Sequence, residues 1–148
     1  MHLSHQIRDV IVATITGLQT TGNNVHTSRI YNYQTMDLPA LAVEIGGAEI
    51  EEDELGLGDR IQNWKQEYKI KITARNTGDI DADVWQIIEE VNEALADNNK
   101  LNGLAKDSMP VAVNEGDFSD ESEKKLTTRE IIFHVMYLTT NTAQDTAL

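Results

Sequence analysis

Ile61-Gln62-Asn63-Trp64-Lys65-Gln66-Glu67-Tyr68-Lys69-Ile70-Lys71-Ile72-Thr73-Ala74-Arg75 is the stretch whose pattern decides the fold. Trp64, Tyr68, Ile70, Ile72 and Ala74 fall on one side, and Lys65, Glu67, Lys69, Lys71, Thr73 and Arg75 on the other. A period of two with one apolar side is the pattern of a strand with one buried face. Asn76-Thr77-Gly78-Asp79 interrupts it with turn chemistry. From Asp81 the period changes. Val84, Ile87, Ile88, Val91 and Leu95 recur at helical spacing and make one apolar stripe, in a segment that runs on to Leu101. Strand face and helix stripe are expected to fold against each other.

Working outward, His2–Leu18 reads as a first amphipathic helix through Leu3, Ile7, Val10, Ile11, Ile15 and Leu18. Ser4 is placed to cap it, and Gly17 or Gly22 to end it. Residues 20–24 are a polar connector, and Val25–Tyr33 reads as extended. Thr35-Met36-Asp37 turns the chain, and Leu38-Pro39 leads into a short apolar strand, Ala40–Ile45. Beyond the second helix come a cap region at Lys100–Leu104, a short strand Met109–Val113 and a long final strand Thr127–Leu138. Ile131, Phe133, Val135 and Tyr137 alternate there with Ile132, His134, Met136 and Leu138, so both faces are apolar. Such a strand is covered on both sides, by its own chain or by another. Residues 140–148 are polar and expected to fray. The fold class is α/β of the α+β type: a mixed, mostly antiparallel sheet with two main helices on one face and an extended hairpin.

The chain has 148 residues, enough for one domain, residues 1–148, with a core that needs no staples. It has no cysteine, so disulfides and thiolate metal sites are excluded. No apolar run approaches the roughly 20 residues that span a bilayer, and the N-terminus lacks the pattern of a signal peptide. The expected compartment is the cytoplasm of the producing cell. The net charge of −13 speaks against direct nucleic-acid reading or an anionic membrane. The charge is also uneven. Residues 47–59 hold Glu49, Glu51, Glu52, Asp53, Glu54 and Asp59 with a base only beyond them; residues 115–123 hold five more acids and no base. Setting those eleven aside leaves 14 acids against 12 bases. Both segments, 47–59 and 115–125, read as acidic loops, the first forming the tip of the hairpin.

Constellations for chemistry are missing. No nucleophile elbow, dinucleotide fingerprint or phosphate loop occurs, and Gly56-Leu57-Gly58 has acidic flanks that would repel phosphate. The acids at 49–54 lack the spacing of a calcium loop. His2 and His5 read as solvated side chains, and His134 as a surface or interface residue. Neither catalytic residues, cofactor nor metal is expected. The feature that remains is the cationic row Lys65, Lys69, Lys71 and Arg75. It is either an ordinary solvated strand face or one half of a contact between copies. In the second case the acids Glu49, Glu51, Glu52, Asp53 and Glu54 are its partners, and a head-to-tail contact of that kind closes into a ring if the rotation fits.

The succession of these stretches resembles the phage tail terminator family, also called minor tail protein U-like or tail completion proteins. The likeness is carried by the helix Leu3–Leu18, by Thr20-Thr21-Gly22-Asn23-Asn24-Val25-His26-Thr27-Ser28-Arg29-Ile30-Tyr31, and by Leu38-Pro39-Ala40-Leu41-Ala42-Val43. It continues through the long strand ending Thr73-Ala74-Arg75, the helix Val84–Leu95 with Leu101 and Leu104, and Arg129-Glu130-Ile131-Ile132-Phe133-His134-Val135-Met136-Tyr137. It spans residues 3–139. The resemblance implies a mixed sheet with helices on one side and a hexameric ring on the last ring of tail-tube subunits. That ring stops tube growth and presents a surface to the head connector, in the virion at the head-proximal end of the tail, with no reaction catalysed. The other readings are a different neck or tail-tube protein of similar build, and a small α/β enzyme or ligand-binding domain.

Overall fold

In the computed structural model, residues 1–27, 39–54, 60–75, 80–115 and 126–148 are described. The order of elements is α1 (Leu3–Ile15), β1 (Val25–His26), β2 (Ala40–Glu54), β3 (Arg60–Arg75), α2 (Ile80–Asp97), a 3-10 turn at Leu101–Gly103, β4 (Asp107–Glu115) and β5 (Leu126–Thr140). The sheet runs β1-β2-β3-β5-β4; β1 is parallel to β2 and the other neighbours are antiparallel. This is the mixed, mostly antiparallel sheet expected. β3 is its spine, paired with β2 on one side and with β5 along its length on the other.

One core joins the inner sheet face to both helices. Tyr68, Ile70 and Ile72 of β3 meet Leu3, Ile7, Ile11 and Ile15 of α1 and Val84, Ile87, Val91 and Leu95 of α2. β5 adds Ile131, Phe133, Val135 and Tyr137. Each fully buried aliphatic side chain contributes about 1.5–3 kcal/mol, so the alternating stretch that opens β3 also holds the domain together. The Tyr68 hydroxyl donates to the Ser4 carbonyl at 2.7 Å, which ties β3 to the first turn of α1. Burial pushes that phenol well above the ordinary tyrosine range.

Four expectations are corrected. First, residues 47–54 are strand, not loop. β2 continues to Glu54 opposite Arg60, and a bulge at Gly46-Gly47 makes this possible. Ile45 faces Tyr68 and Ala48 faces Gln66, so β2 gains one residue on β3. Without that extra residue Glu49 and Glu51 would turn toward the helices. With it they turn away, and Ile50 and Glu52 take the inner side. Gln66 secures the bulge by donating to Gly46 O at 2.8 Å and Gly47 O at 3.1 Å. The hairpin apex, 55–59, lies outside the described residues.

Second, the C-terminal residues are tied down. Leu3 N donates to Gln144 O at 3.1 Å and Leu148 N to Leu138 O at 3.0 Å. Gln144 Nε2 donates to Gln62 Oε1 at 3.0 Å, and Ala147 packs on the core. Third, His2 rather than Ser4 caps α1. Its Nδ1 accepts from Ser4 N at 3.1 Å, and its ring stands edge-on to Trp64 at 5.2 Å. With the Gln144 carbonyl and the two bonds to His2 O, all four N–H groups of the first turn are satisfied. Fourth, α1 ends at Ile15, before Leu18, and Gly17 at φ +88° supplies the left-handed residue past its end. β1 stops at His26, with Thr27 in a bend, and the rest of the strand expected to Tyr33, the turns at 35–37 and 76–79 and the second acidic segment from 116 to 125 lie outside the described residues.

Candidate interaction surface

Both helices lie on the inner face, and none of the described helices lies on the other. That outer face is built from alternate residues of four strands. β3 contributes Asn63, Lys65, Glu67, Lys69 and Lys71. β5 contributes Glu130, Ile132, His134, Met136 and Leu138, each opposite one of these. Glu49 and Glu51 flank it from β2, and Asp107 and Met109 from β4. His134, Met136 and Leu138 are half-buried, and none of them joins the core.

The cationic row is on this face, but its members differ. Lys71 is engaged within its own chain: its Nζ lies 3.3 Å from Glu44 and 3.6 Å from Glu130. Half-exposed pairs of this kind are worth at most about 1 kcal/mol each. Lys65, opposite Glu49 and Met136, is exposed, and Lys69, opposite Glu44 and Ile132, is half-buried. Lys71 is thus the one lysine of the row with an ion pair among the described residues. Arg75 ends β3 opposite Leu126, and only its backbone is described.

The five acids do not act as one group. Glu49 and Glu51 face outward beside Lys65. Glu52 faces inward, where Gln62 Nε2 donates to it at 2.8 Å and Arg60 Nη1 at 3.0 Å. Those two bonds, Gln62 first, hold its carboxyl below the usual carboxylate range. Asp53 and Glu54 continue the backbone ladder opposite Ile61 and Arg60.

Two depressions mark the outer face. One, of about 330 Å³, is lined by Gly47, Ala48, Glu49, Lys65, Glu67 and His134. The other, of about 440 Å³, is lined by Met136 and Leu138 together with Lys65, Lys106, Glu49 and Glu51. Charges of both signs beside apolar side chains suit a protein contact in which the charges set register. Among the described residues no three His, Asp or Glu side chains stand close enough to hold a metal ion, and no helix is long and apolar enough to cross a membrane. Glu44 and Glu130 are the residues that sequence reasoning missed. They become partners of Lys71 only through strand register, which a single strand's pattern does not contain.

No protein-family model and no curated protein matches the chain. Among solved structures it is similar to a chain titled as the virion of a native gene transfer agent particle. That chain is 13% identical with a TM-score of 0.41, over 93% of this chain and 92% of the other. At that distance the likeness decides neither family nor activity.

Proposed function

We propose that this chain is a structural protein of a long-tailed phage virion, a tail terminator that closes into a hexameric ring on the end of the tail tube. The ring ends tube polymerisation and offers its other side to a head connector or neck protein. Assembly takes place in the host cytoplasm. The observation that carries the reading is the outer sheet face: half-buried His134, Met136 and Leu138 continue from the buried Ile132 beside the charged row of β3, and none of the described helices covers them. A face of this kind is completed by another protein surface. The identity of that surface as a second copy, and of the assembly as a tail ring, is supported by the succession of elements set out in the sequence. Helix, linker, the strand from Ala40, long strand, helix and closing strand stand in the order that the resemblance implies.

The deciding experiment is the native mass of the purified full chain by multi-angle light scattering over a range of concentrations, with negative-stain microscopy of the same samples. The expected result is a closed ring of fixed copy number. A strict monomer at every concentration overturns the ring. Open-ended tubes overturn the terminator in favour of a tube protein.

A further inference from the structure

Trp85 on α2 is 54% exposed, the largest apolar side chain so placed among the described residues. Asp81 precedes it by four residues and Glu89 follows it by four, so the three share one stripe of the helix. All three are exposed. Asp81 lies 3.6 Å from Arg129, yet 73% of its side chain remains open to solvent. The stripe is thus an indole with a carboxylate one turn to either side. It belongs to the helix layer, across the sheet from the outer face, so one copy cannot bring the two surfaces together.

The outer face offers the counterpart. Lys65 and Lys69 are four residues apart on β3, about 13 Å at the rise of a strand. Asp81 and Glu89 are eight residues apart on α2, about 12 Å at the rise of a helix. Two acids on the helix therefore fit two bases on the sheet in both sign and spacing. Lys71 is already held by Glu44 and Glu130, which leaves a pair of lysines rather than a row. Trp85 is midway between the acids. Midway between the lysines, Glu67 stands opposite His134. The depression of about 330 Å³ is at this midpoint, with Lys65, Glu67, Glu49 and His134 in its lining. An indole needs a flat or apolar surface for its ring and an acceptor for its N–H. The His134 ring supplies the first, and the carboxylate of Glu67 or Glu49 the second.

We propose that α2 of one copy docks on the outer sheet face of the next, with Trp85 in the depression beside His134 and with Asp81 and Glu89 against Lys65 and Lys69. The occupant of the outer face is a second copy because this chain carries both halves of the fit. The halves are different surfaces, so the contact is head-to-tail: each copy gives its helix to one neighbour and receives the helix of another. Tryptophan is enriched among the residues that carry binding energy at protein contacts, and the charges at its two sides fix the register. The inference rests on the reading of the assembly as a ring of this chain, and it names the surfaces that meet.

The test uses the full chain. Raising its concentration until it assembles should remove most of the iodide-quenchable fluorescence of Trp85; Trp64, the other tryptophan, stacks on Tyr137 within the chain. Trp85→Ala should weaken assembly about 30-fold, the order usual for a truncated interface tryptophan, with the melting temperature of the subunit near that of the parent. Lys65→Glu with Lys69→Glu should fail to assemble alone, and so should Asp81→Lys with Glu89→Lys. An equimolar mixture of these two folded variants should assemble, because each then meets the charge it lacks. Three results overturn the docking and leave the ring standing: an assembled parent whose Trp85 stays quenchable, a Trp85→Ala variant that assembles as the parent does, or a mixture that stays monomeric. A parent that is monomeric at every concentration overturns the docking and the ring together.

Discussion

A methyl group on Gly46 would stand 2.6 Å from Glu67 Oε2 and 3.2 Å from the Glu67 carbonyl oxygen, whereas one on Gly47 would meet nothing within 4 Å. The two neighbours in sequence therefore stand in different surroundings. At Gly46 a side chain would displace the end of the Glu67 side chain and press on its carbonyl; at Gly47 there is open space and no left-handed backbone angle. Gly46→Ala should lower the unfolding free energy by about 1–2 kcal/mol, the usual cost of overpacking. Gly47→Ala should stay within about 0.5 kcal/mol of the parent. Urea denaturation of both variants measures the contrast, and equal losses would show that the approach of Glu67 is not what matters. The glycine pair is visible in the sequence as a break in the strand, but which glycine is crowded depends on Glu67, in the next strand. The capping histidine teaches the same lesson. Ser4 has the stronger capping propensity, yet its backbone follows His2, and the His2 ring is held by Trp64 from β3. Local preference lost to a tertiary contact that no local window contains.

At the scale of elements, period and composition were good guides where one face is buried and poor ones where the strand projects. β3, α2 and β5 follow their apolar alternation closely, because their inner faces share one core. The acidic half of β2 has no such stripe, and composition argued for a loop. It is a strand because β3 offers it a ladder and the bulge rotates its acids outward. Glu52 is the acid of that arm with a defined inner partnership. Its folded pKa lies below the ordinary value of about 4.3. The depressed carboxylate therefore contributes stability above that value, and the contribution fades as pH falls through the folded pKa. Glu52→Gln should lower the neutral region of the melting curve slightly and make the acid limb shallower below about pH 4.3, so that the two curves converge in acid; thermal melts across the acid range would show it, and identical acid limbs would sink the idea. The polar C-terminal element misled composition in the same way. Its hydrogen bonds reach the start of α1, Gln62 and β5, so residues 144–148 act as a strap. Deleting them should cost about 1–2 kcal/mol, the order of two lost hydrogen bonds with some lost packing, and should speed hydrogen exchange at the Leu3 amide. Unchanged exchange there would mean the strap carries nothing.

At the scale of the whole molecule, the decisive property is that the two sheet faces are unequal. The sequence already held this in β5, whose Ile132, Met136 and Leu138 alternate with core residues, and the structure shows both helices on the opposite side. What the sequence could not hold is how the positive row divides. Lys71 sits between Glu44 and Glu130 and serves its own sheet, while Lys65 and Lys69 make no ion pair among the described residues. A ring held partly by this face should respond to those two lysines and not to the third. Lys65→Glu with Lys69→Glu should shift the assembly toward monomer, with the melting temperature of the subunit nearly unchanged, because strand-face charges of this exposure add little to folding. Raising salt should move the parent in the same direction, since exposed charges are screened within about 8–10 Å at physiological ionic strength. Lys71→Glu should do the reverse, lowering subunit stability by placing three acids together and changing assembly only as far as folding is lost. Light scattering and calorimetry on the three proteins separate the cases. If the double variant assembles as the parent does at every salt concentration, the outer face is not where copies meet, and the ring, if it forms, must close through the edges of the sheet instead.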